Sequence, residues 1–262
     1  MEINKIYNED CLVGMQRIPD GQIDAVICDL PYGSTSCAWD SVIPFEPLWE
    51  QYHRVCKPDA AIVLFGSEPF STRLRMSNLK EFRYDWIWHK SSSGGFAMAN
   101  RRPMKFHETI SVFYREQPTY NPQYIPYAES TQKRFKDGDK VNSSVWQKEG
   151  KQNRIQGMHH VAEESPLRIK RGKHPESILE FRSVPNTKRV HPTQKPVDLL
   201  RYLVRTYTNE GDTVLDNCIG SGMTALACIR ENRNFIGFEV DQECYAKACE
   251  IIGHELEQPK LL

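Results

Sequence analysis

Between residues 213 and 239 a strand, a glycine turn, a helix and a second strand follow one another, and no other segment restricts the fold as much. Thr213, Val214 and Leu215 form a β-branched and apolar run that ends in Asp216. Asn217, Cys218, Ile219, Gly220, Ser221 and Gly222 come next, followed by a helix-like stretch over 223–231. Gly220 and Gly222 permit positive φ and close backbone approach, and the free N–H groups opening the helix favour a carboxylate or phosphate. The second strand, 235–238, ends in Glu239, 17 residues beyond Gly222. An acidic residue about twenty positions after such a turn is where nucleotide-binding α/β folds hold ribose hydroxyls. The full G-x-G-x-x-G fingerprint is absent, because Ala225 occupies the third glycine position. The plainer alternative is a turn that only packs a helix on a sheet; Asp216 and Glu239 together weigh against it.

Near the other end of the chain, Asp29-Leu30-Pro31-Tyr32 closes the apolar run Ile23–Cys28 and is followed by Gly33. The four residues join an acceptor, a rigid carbonyl-presenting turn and an aromatic face. Pro31 fixes its own φ, lacks an N–H and biases Leu30 to an extended conformation, which presets the direction of the Leu30 carbonyl. Such a loop suits chemistry on an exocyclic amine of a flat ring. A carboxylate cannot deprotonate so weak an acid, but with the carbonyl it accepts hydrogen bonds from the NH2 group and turns the nitrogen lone pair towards an electrophile. Tyr32 offers a ring for stacking. An ordinary strand-to-turn exit is the bland reading of the same four letters, and a short motif needs its context.

Asp29 to Tyr32 resembles the D-P-P-Y motif of the DNA amino-methyltransferases that use S-adenosylmethionine. Residues 216–222 resemble that family's D-P-F-x-G-S-G, and His191-Pro192-Thr193-Gln194-Lys195-Pro196 its H-P-x-x-K-P run. The order, catalytic motif before cofactor motif, is that of the β-type group. Leu30 replaces the first proline, and Asn217 and Cys218 replace proline and phenylalanine. The resemblance covers about residues 1–116 and 190–255 and implies a Rossmann-like methyltransferase fold. It implies S-adenosyl-L-methionine as cofactor, with Lys195, Asp216, Cys218, Gly220, Ser221, Gly222 and Thr224 near its methionine end. Glu239 falls at its ribose, Asp10 and Cys11 near its adenine, and Asp29 beside the transferred methyl. The implied activity is methylation of the N6 amine of adenine in a specific double-stranded DNA sequence, the base being flipped out of the helix. Asp29, Leu30, Pro31 and Tyr32 are the expected catalytic residues; aspartate at the first position is usual for adenine N6 and serine for cytosine N4. No proline-cysteine pair for attack at cytosine carbon 5 is present.

Alternatives are a cytosine N4 enzyme of the same geometry, an RNA or protein-glutamine methyltransferase, and a non-catalytic DNA-binding subunit with the same fold. A second copy of the chain in a homodimer and a cognate restriction endonuclease are partners the family admits; the sequence does not choose between their presence and absence.

Net charge is zero, with 34 basic and 34 acidic residues, but the distribution is uneven. Residues 130–190 carry 14 Lys and Arg against 7 Asp and Glu, so the rest of the chain is net acidic. Lys133, Arg134, Lys136, Arg168, Lys170, Arg171 and Lys173 are interleaved there with Phe135, Trp146 and His174, without sustained apolar periodicity. Phosphate neutralisation with aromatic stacking uses this composition; a solvated insertion is the alternative. Three parts are therefore expected: a catalytic half over 1–116, a target-recognition insertion over 117–190 and a cofactor-binding half over 191–262.

The remaining pattern is α/β, a mostly parallel twisted sheet with helices on both faces. Helices are expected over 45–56, from Pro69 to about Asn78, over 196–208 and over 241–256. Strands are expected over 60–65, 82–88 and 109–114. Ser91-Ser92-Ser93-Gly94-Gly95 reads as a flexible loop, either one that closes over the reaction site or a plain solvent loop. Eight cysteines without a C-x-x-C pair, several inside apolar patterns (Cys28, Cys56, Cys228), read as reduced thiols rather than disulfides or a metal site. His159-His160 lacks companion ligands. With no apolar run of membrane-spanning length and no signal-peptide core, a cytoplasmic protein of a bacterium or its phage is expected.

Overall fold

The computed structural model describes residues 1–34, 40–94, 96, 99–130, 172–185, 187 and 194–257. Lys133, Arg134, Lys136, Arg168, Lys170 and Arg171 lie outside them, as do Phe135, Trp146, His159, His160 and the His191-Pro192-Thr193 part of the motif. The chain divides into two compact units, Met1–Asn121 with Glu176–Leu262, and Pro122–Pro175. Within the second, Lys173 exchanges backbone hydrogen bonds with Ile125, and Tyr124 lies 5.1 Å from His174 ring to ring.

In the larger unit the described elements are β1 (Lys5–Tyr7), α1 (Cys11–Met15), β2 (Ile23–Cys28), α2 (Phe45–Val55), β3 (Cys56–Gly66), α3 (Phe70–Ser77) and β4 (Phe82–Gly94). They continue with β5 (Lys105–Phe113), β6 (Ile178–Phe181), α4 (Val197–Tyr207), β7 (Thr213–Asp216), α5 (Met223–Arg230), β8 (Asn234–Phe238) and α6 (Gln242–Glu257). The strands form one sheet in the order β1-β8-β7-β2-β3-β5-β4-β6. Every pairing is parallel except those of β5, which runs against both β3 and β4.

Strand alternation decides which helices cover which face. In β3, Ala61, Val63 and Phe65 point to one cluster and Ala60, Ile62 and Leu64 to the other. The first cluster receives Leu199, Leu200, Leu203, Val204 and Tyr207, a helical stripe on α4, together with residues of α5 and α6. The second receives Leu48, Trp49, Tyr52 and Val55 of α2 with parts of α1 and α3. Each large apolar side chain so enclosed stabilises the fold by roughly 1.5–3 kcal/mol.

Several expectations change. Residues 91–94 are not a loop: β4 runs to Gly94, which pairs with Lys105 across a register shift, because an antiparallel partner satisfies a backbone that the serines alone leave undecided. Gly95 lies outside the described residues. α2 ends at Val55, one residue before the expected end, and the chain passes straight into β3 at Cys56, with Pro58 inside the strand. β5 begins four residues earlier than its apolar part, at Lys105 rather than Thr109. β1 and α1, of three and five residues, are too short to show a period, and β6 adds a parallel edge strand at Ile178.

Three polar groups knit the β4 strand to α4. Trp86 Nε1 donates to the Tyr207 hydroxyl at 2.7 Å, and the Tyr84 and Tyr207 hydroxyls lie 3.0 Å apart. Tyr207→Phe removes the acceptor from a buried indole N–H, and urea unfolding should show a loss of about 1–3 kcal/mol.

Candidate active site

β2 and β7 are neighbours through Ala25↔Val214 and Val26↔Leu215, so both end at one edge of the sheet. From there they part: β2 leads to α2 on one face and β7 to α5 on the other. A crevice opens where the connections diverge, the place at which open α/β sheets bind ligands. It is a cavity of about 620 Å³, inside the roughly 300–1,000 Å³ range of small-molecule sites.

Asp29, Leu30, Pro31 and Tyr32 line this cavity, as do Asp10, Cys11, Lys195, Asp216, Cys218, Gly220, Ser221, Thr224 and Glu239. Gly222 does not. It starts α5 with φ 80°, and a Cβ placed there would lie 3.1 Å from the Ala248 Cβ of α6, so it is required for the turn and the helix packing. Gly220, at φ 53°, has nothing among the described residues within 4 Å of its would-be Cβ. Among the described residues no side chain caps α5, an end suited to an anionic ligand.

The loop that begins at Asp29 is held from both ends. The Tyr32 hydroxyl donates to Asp29 Oδ1 at 2.6 Å, and its ring stacks on Phe70 at 4.9 Å. Beyond it, the buried carboxylate of Asp40 accepts from the Gly33 and Ser34 N–H groups at 2.8 and 2.9 Å. Sequence reading missed Asp40, because no local pattern ties an isolated acid to amides six and seven residues earlier.

Lys195 was expected at the methionine end of a cofactor. Its ammonium donates to Asp29 Oδ2 and lies 3.4 Å from Glu108 Oε2, while Lys90 Nζ donates to Glu108 Oε1 at 2.9 Å. Burial raises the Asp29 pKa, with Lys195 opposing it. For Lys195, burial works against the charge, but Asp29 and Glu108 outweigh it and keep the ammonium protonated. For Glu108, burial is likewise outweighed, by Lys195 and Lys90, and its carboxyl titrates below the usual range.

In the other half, Glu239 accepts from the N–H groups of Gly220 at 2.9 Å and Asp241 at 2.8 Å, and burial raises its pKa. Asn217, where the family has proline, is fixed by the Tyr52 hydroxyl, which donates to its Oδ1 at 2.5 Å, and by contacts from its amide to the Cys11 and Cys218 sulfurs. Cys28 is a buried thiol pushed up to about 12 by its surroundings. The exposed Asp10 caps α1 through the Leu12 and Val13 N–H groups.

The arrangement is an α/β fold in which a loop carrying a carboxylate and an aromatic ring faces a glycine turn of the nucleotide-binding type across one crevice. Residues 23–250 match the family of N6 and N4 DNA methylases, and the chain belongs to that family, the S-adenosylmethionine-dependent amino-methyltransferases. It is 28% identical to the type II methyltransferase M.BglII of Bacillus subtilis over 98% of this chain and 71% of the relative. To the type II methyltransferase M1.MboII of Moraxella bovis it is 26% identical over 98% and 99%. To the DNA adenine methyltransferase YhdJ of Escherichia coli it is 26% identical over 92% and 80%. The fold is shared with the M1.HpyAVI complex with S-adenosylmethionine (TM-score 0.59, 21% identity, 94% and 98% covered). It is also shared with the cytosine-N4-specific PvuII DNA methyltransferase (TM-score 0.64, 17% identity, 98% and 87% covered). Among the described residues no helix is long and apolar enough to cross a membrane.

Asp216, 4% exposed, accepts from the Cys218 N–H at 3.1 Å, and burial raises its pKa to about 6 against the pull of Thr224 and that N–H. A carboxyl whose folded pKa lies above its ordinary value disfavours folding once ionised, so its penalty is absent below about pH 4 and complete above about pH 6. Asp216→Asn, which keeps the acceptor oxygen, should therefore gain stability at pH 8 by up to about 3 kcal/mol and gain nothing at pH 4. Thermal unfolding at the two pH values reads the difference.

Proposed function

We propose that this chain transfers a methyl group from S-adenosylmethionine to the N6 amine of adenine within a specific sequence of double-stranded DNA. The observation that carries the reading is the shared cavity: the Asp29 loop and the Gly220 to Glu239 turn line it together although roughly 190 residues separate them.

The residues present fit the cofactor. An uncapped helix start suits its carboxylate, Gly220 leaves open space, and Glu239 at the tip of β8 suits the ribose hydroxyls. When bound, S-adenosylmethionine supplies an electrophilic methyl group. Asp29 and the Leu30 carbonyl accept the two N–H bonds of the amine and turn its lone pair towards that methyl. Tyr32 holds Asp29 through its hydroxyl and presents an aromatic surface to the base. A paired adenine cannot reach such a crevice, so it is flipped out at a cost of a few kcal/mol. Positioning then supplies much of the rate. The basic excess of residues 130–190, with Lys173 at its end, supports phosphate contacts by that segment and a target-recognition role for residues 117–190.

Adenine rather than cytosine rests on aspartate at position 29 and on the adenine specificity named for YhdJ. Incubation of the purified chain with methyl-labelled cofactor and duplex DNA, followed by nucleoside digestion and mass analysis, should give N6-methyl-2′-deoxyadenosine. N4-methylcytosine would transfer the assignment to the cytosine amine; no incorporation would refute both. Asp29→Ala should lower incorporation by a factor on the order of 10²–10³.

A further inference from the structure

Four charged side chains in the cavity wall, Asp29, Lys195, Glu108 and Lys90, carry no net charge together, and the proposed chemistry uses only the first. Their side chains are 24%, 9%, 16% and 19% exposed. Both oxygens of Asp29 are engaged, Oδ1 by the Tyr32 hydroxyl and Oδ2 by the Lys195 ammonium. An ammonium on Oδ2 competes with the very N–H that Asp29 is meant to accept. Glu108 Oε2 is buried and has no hydrogen-bond partner among the described residues, yet Lys195 Nζ stands 3.4 Å away. Its other oxygen is fixed by Lys90. Lys195 also lies 5.2 Å from the Phe65 ring centroid and 6.0 Å from that of Tyr32, so aromatic faces adjoin the ammonium beside either carboxylate.

We propose that Glu108 is a positioning residue for methyl transfer: it takes over the Lys195 ammonium when the target amine enters, freeing Asp29 Oδ2 to accept the amine. The inference rests on the reading of Asp29 as the amine acceptor. The handover moves a buried cation between two half-buried anions, so no charge is left unpaired, which is the costly alternative. Without Glu108 the ammonium has Asp29 as its sole anionic partner among the described residues, and the amine must displace it.

Charges around Asp29 give a second readout, the pH at which it ionises. Lys195 from the segment before α4, Glu108 from β5, Tyr32 and Cys28 from the β2 end and Asp216 from β7 all act on or are acted on by Asp29. Glu108 raises its pKa and Lys195 lowers it. Removing the Glu108 charge therefore moves ionisation of Asp29 to lower pH.

The test is kcat and KM against pH for methyl incorporation into duplex DNA by the wild type, Glu108→Gln and Glu108→Asp, with cofactor affinity measured alongside. Glu108→Gln should lower kcat about tenfold to a hundredfold, shift the acid limb of kcat to lower pH and leave cofactor affinity within about twofold. Glu108→Asp, which keeps the charge on a shorter arm, should restore the limb and part of kcat. Wild-type kcat and acid limb in Glu108→Gln would overturn the handover, as would a loss of kcat with an unmoved limb. If Glu108→Gln does not fold, Glu108→Asp decides: a lowered kcat at the wild-type limb supports the proposal, and wild-type kcat refutes it. Absence of methyl transfer by the wild type would instead refute the parent reading, and the handover with it.

Discussion

Parallel pairing of β2 with β7 is the constraint from which the site follows. Two strands far apart in sequence share one hydrogen-bonded ladder and end at one edge, and their following helices go to opposite faces. The loops have no way to avoid flanking a common crevice. The fold thus contributes placement: an acceptor loop on one lip, a glycine turn and an acidic strand tip on the other. Substituting either loop changes chemistry without changing the ladder, whereas a slip of one residue in β2 would reverse its buried alternation and withdraw Asp29 from the cavity.

Within the crevice, electrostatics is arranged by burial first and pairing second. Asp216 and Asp29 are both raised by loss of solvent, but of the two only Asp29 has a cation opposite among the described residues. Asp216 relies on neutral donors, Thr224 and the Cys218 N–H. In the proposed reading Lys195 keeps Asp29 an acceptor, and Glu108 keeps Lys195 from monopolising it. A site built to bind an uncharged amine needs that division, since a fully committed ion pair offers no acceptor and an unpaired buried carboxylate takes up a proton.

Much of this was legible in the chain. Asp29 to Tyr32, Gly220 and Glu239 could be read because each sits at the end of a strong strand, and strand ends in an α/β pattern share an edge. The long helices were visible for the same reason: α2 and α4 repeat apolar residues at helical spacing. What escaped was non-local. Glu108 is one acid at the polar start of β5, and Asp40 one acid in a loop; their importance lies in partners distant along the chain. β1 and β6 are strands through their neighbours rather than their composition, and β4 reaches Gly94 through β5. Lys195 was found, but its partner depended on three-dimensional proximity that the motif does not encode.

The claim that donor and acceptor loops serve one pocket is tested most directly with a bisubstrate compound, adenosine joined through its N6 nitrogen by a short carbon chain to the sulfur-position analogue of S-adenosylmethionine. Its affinity would be compared by calorimetry with that of the donor half alone, in the wild type and in Asp29→Ala. The account predicts that joining the halves strengthens binding by about 10²-fold or more, and that Asp29→Ala removes this gain while leaving the affinity of the donor half intact. No gain on joining, or a gain indifferent to Asp29, would contradict it.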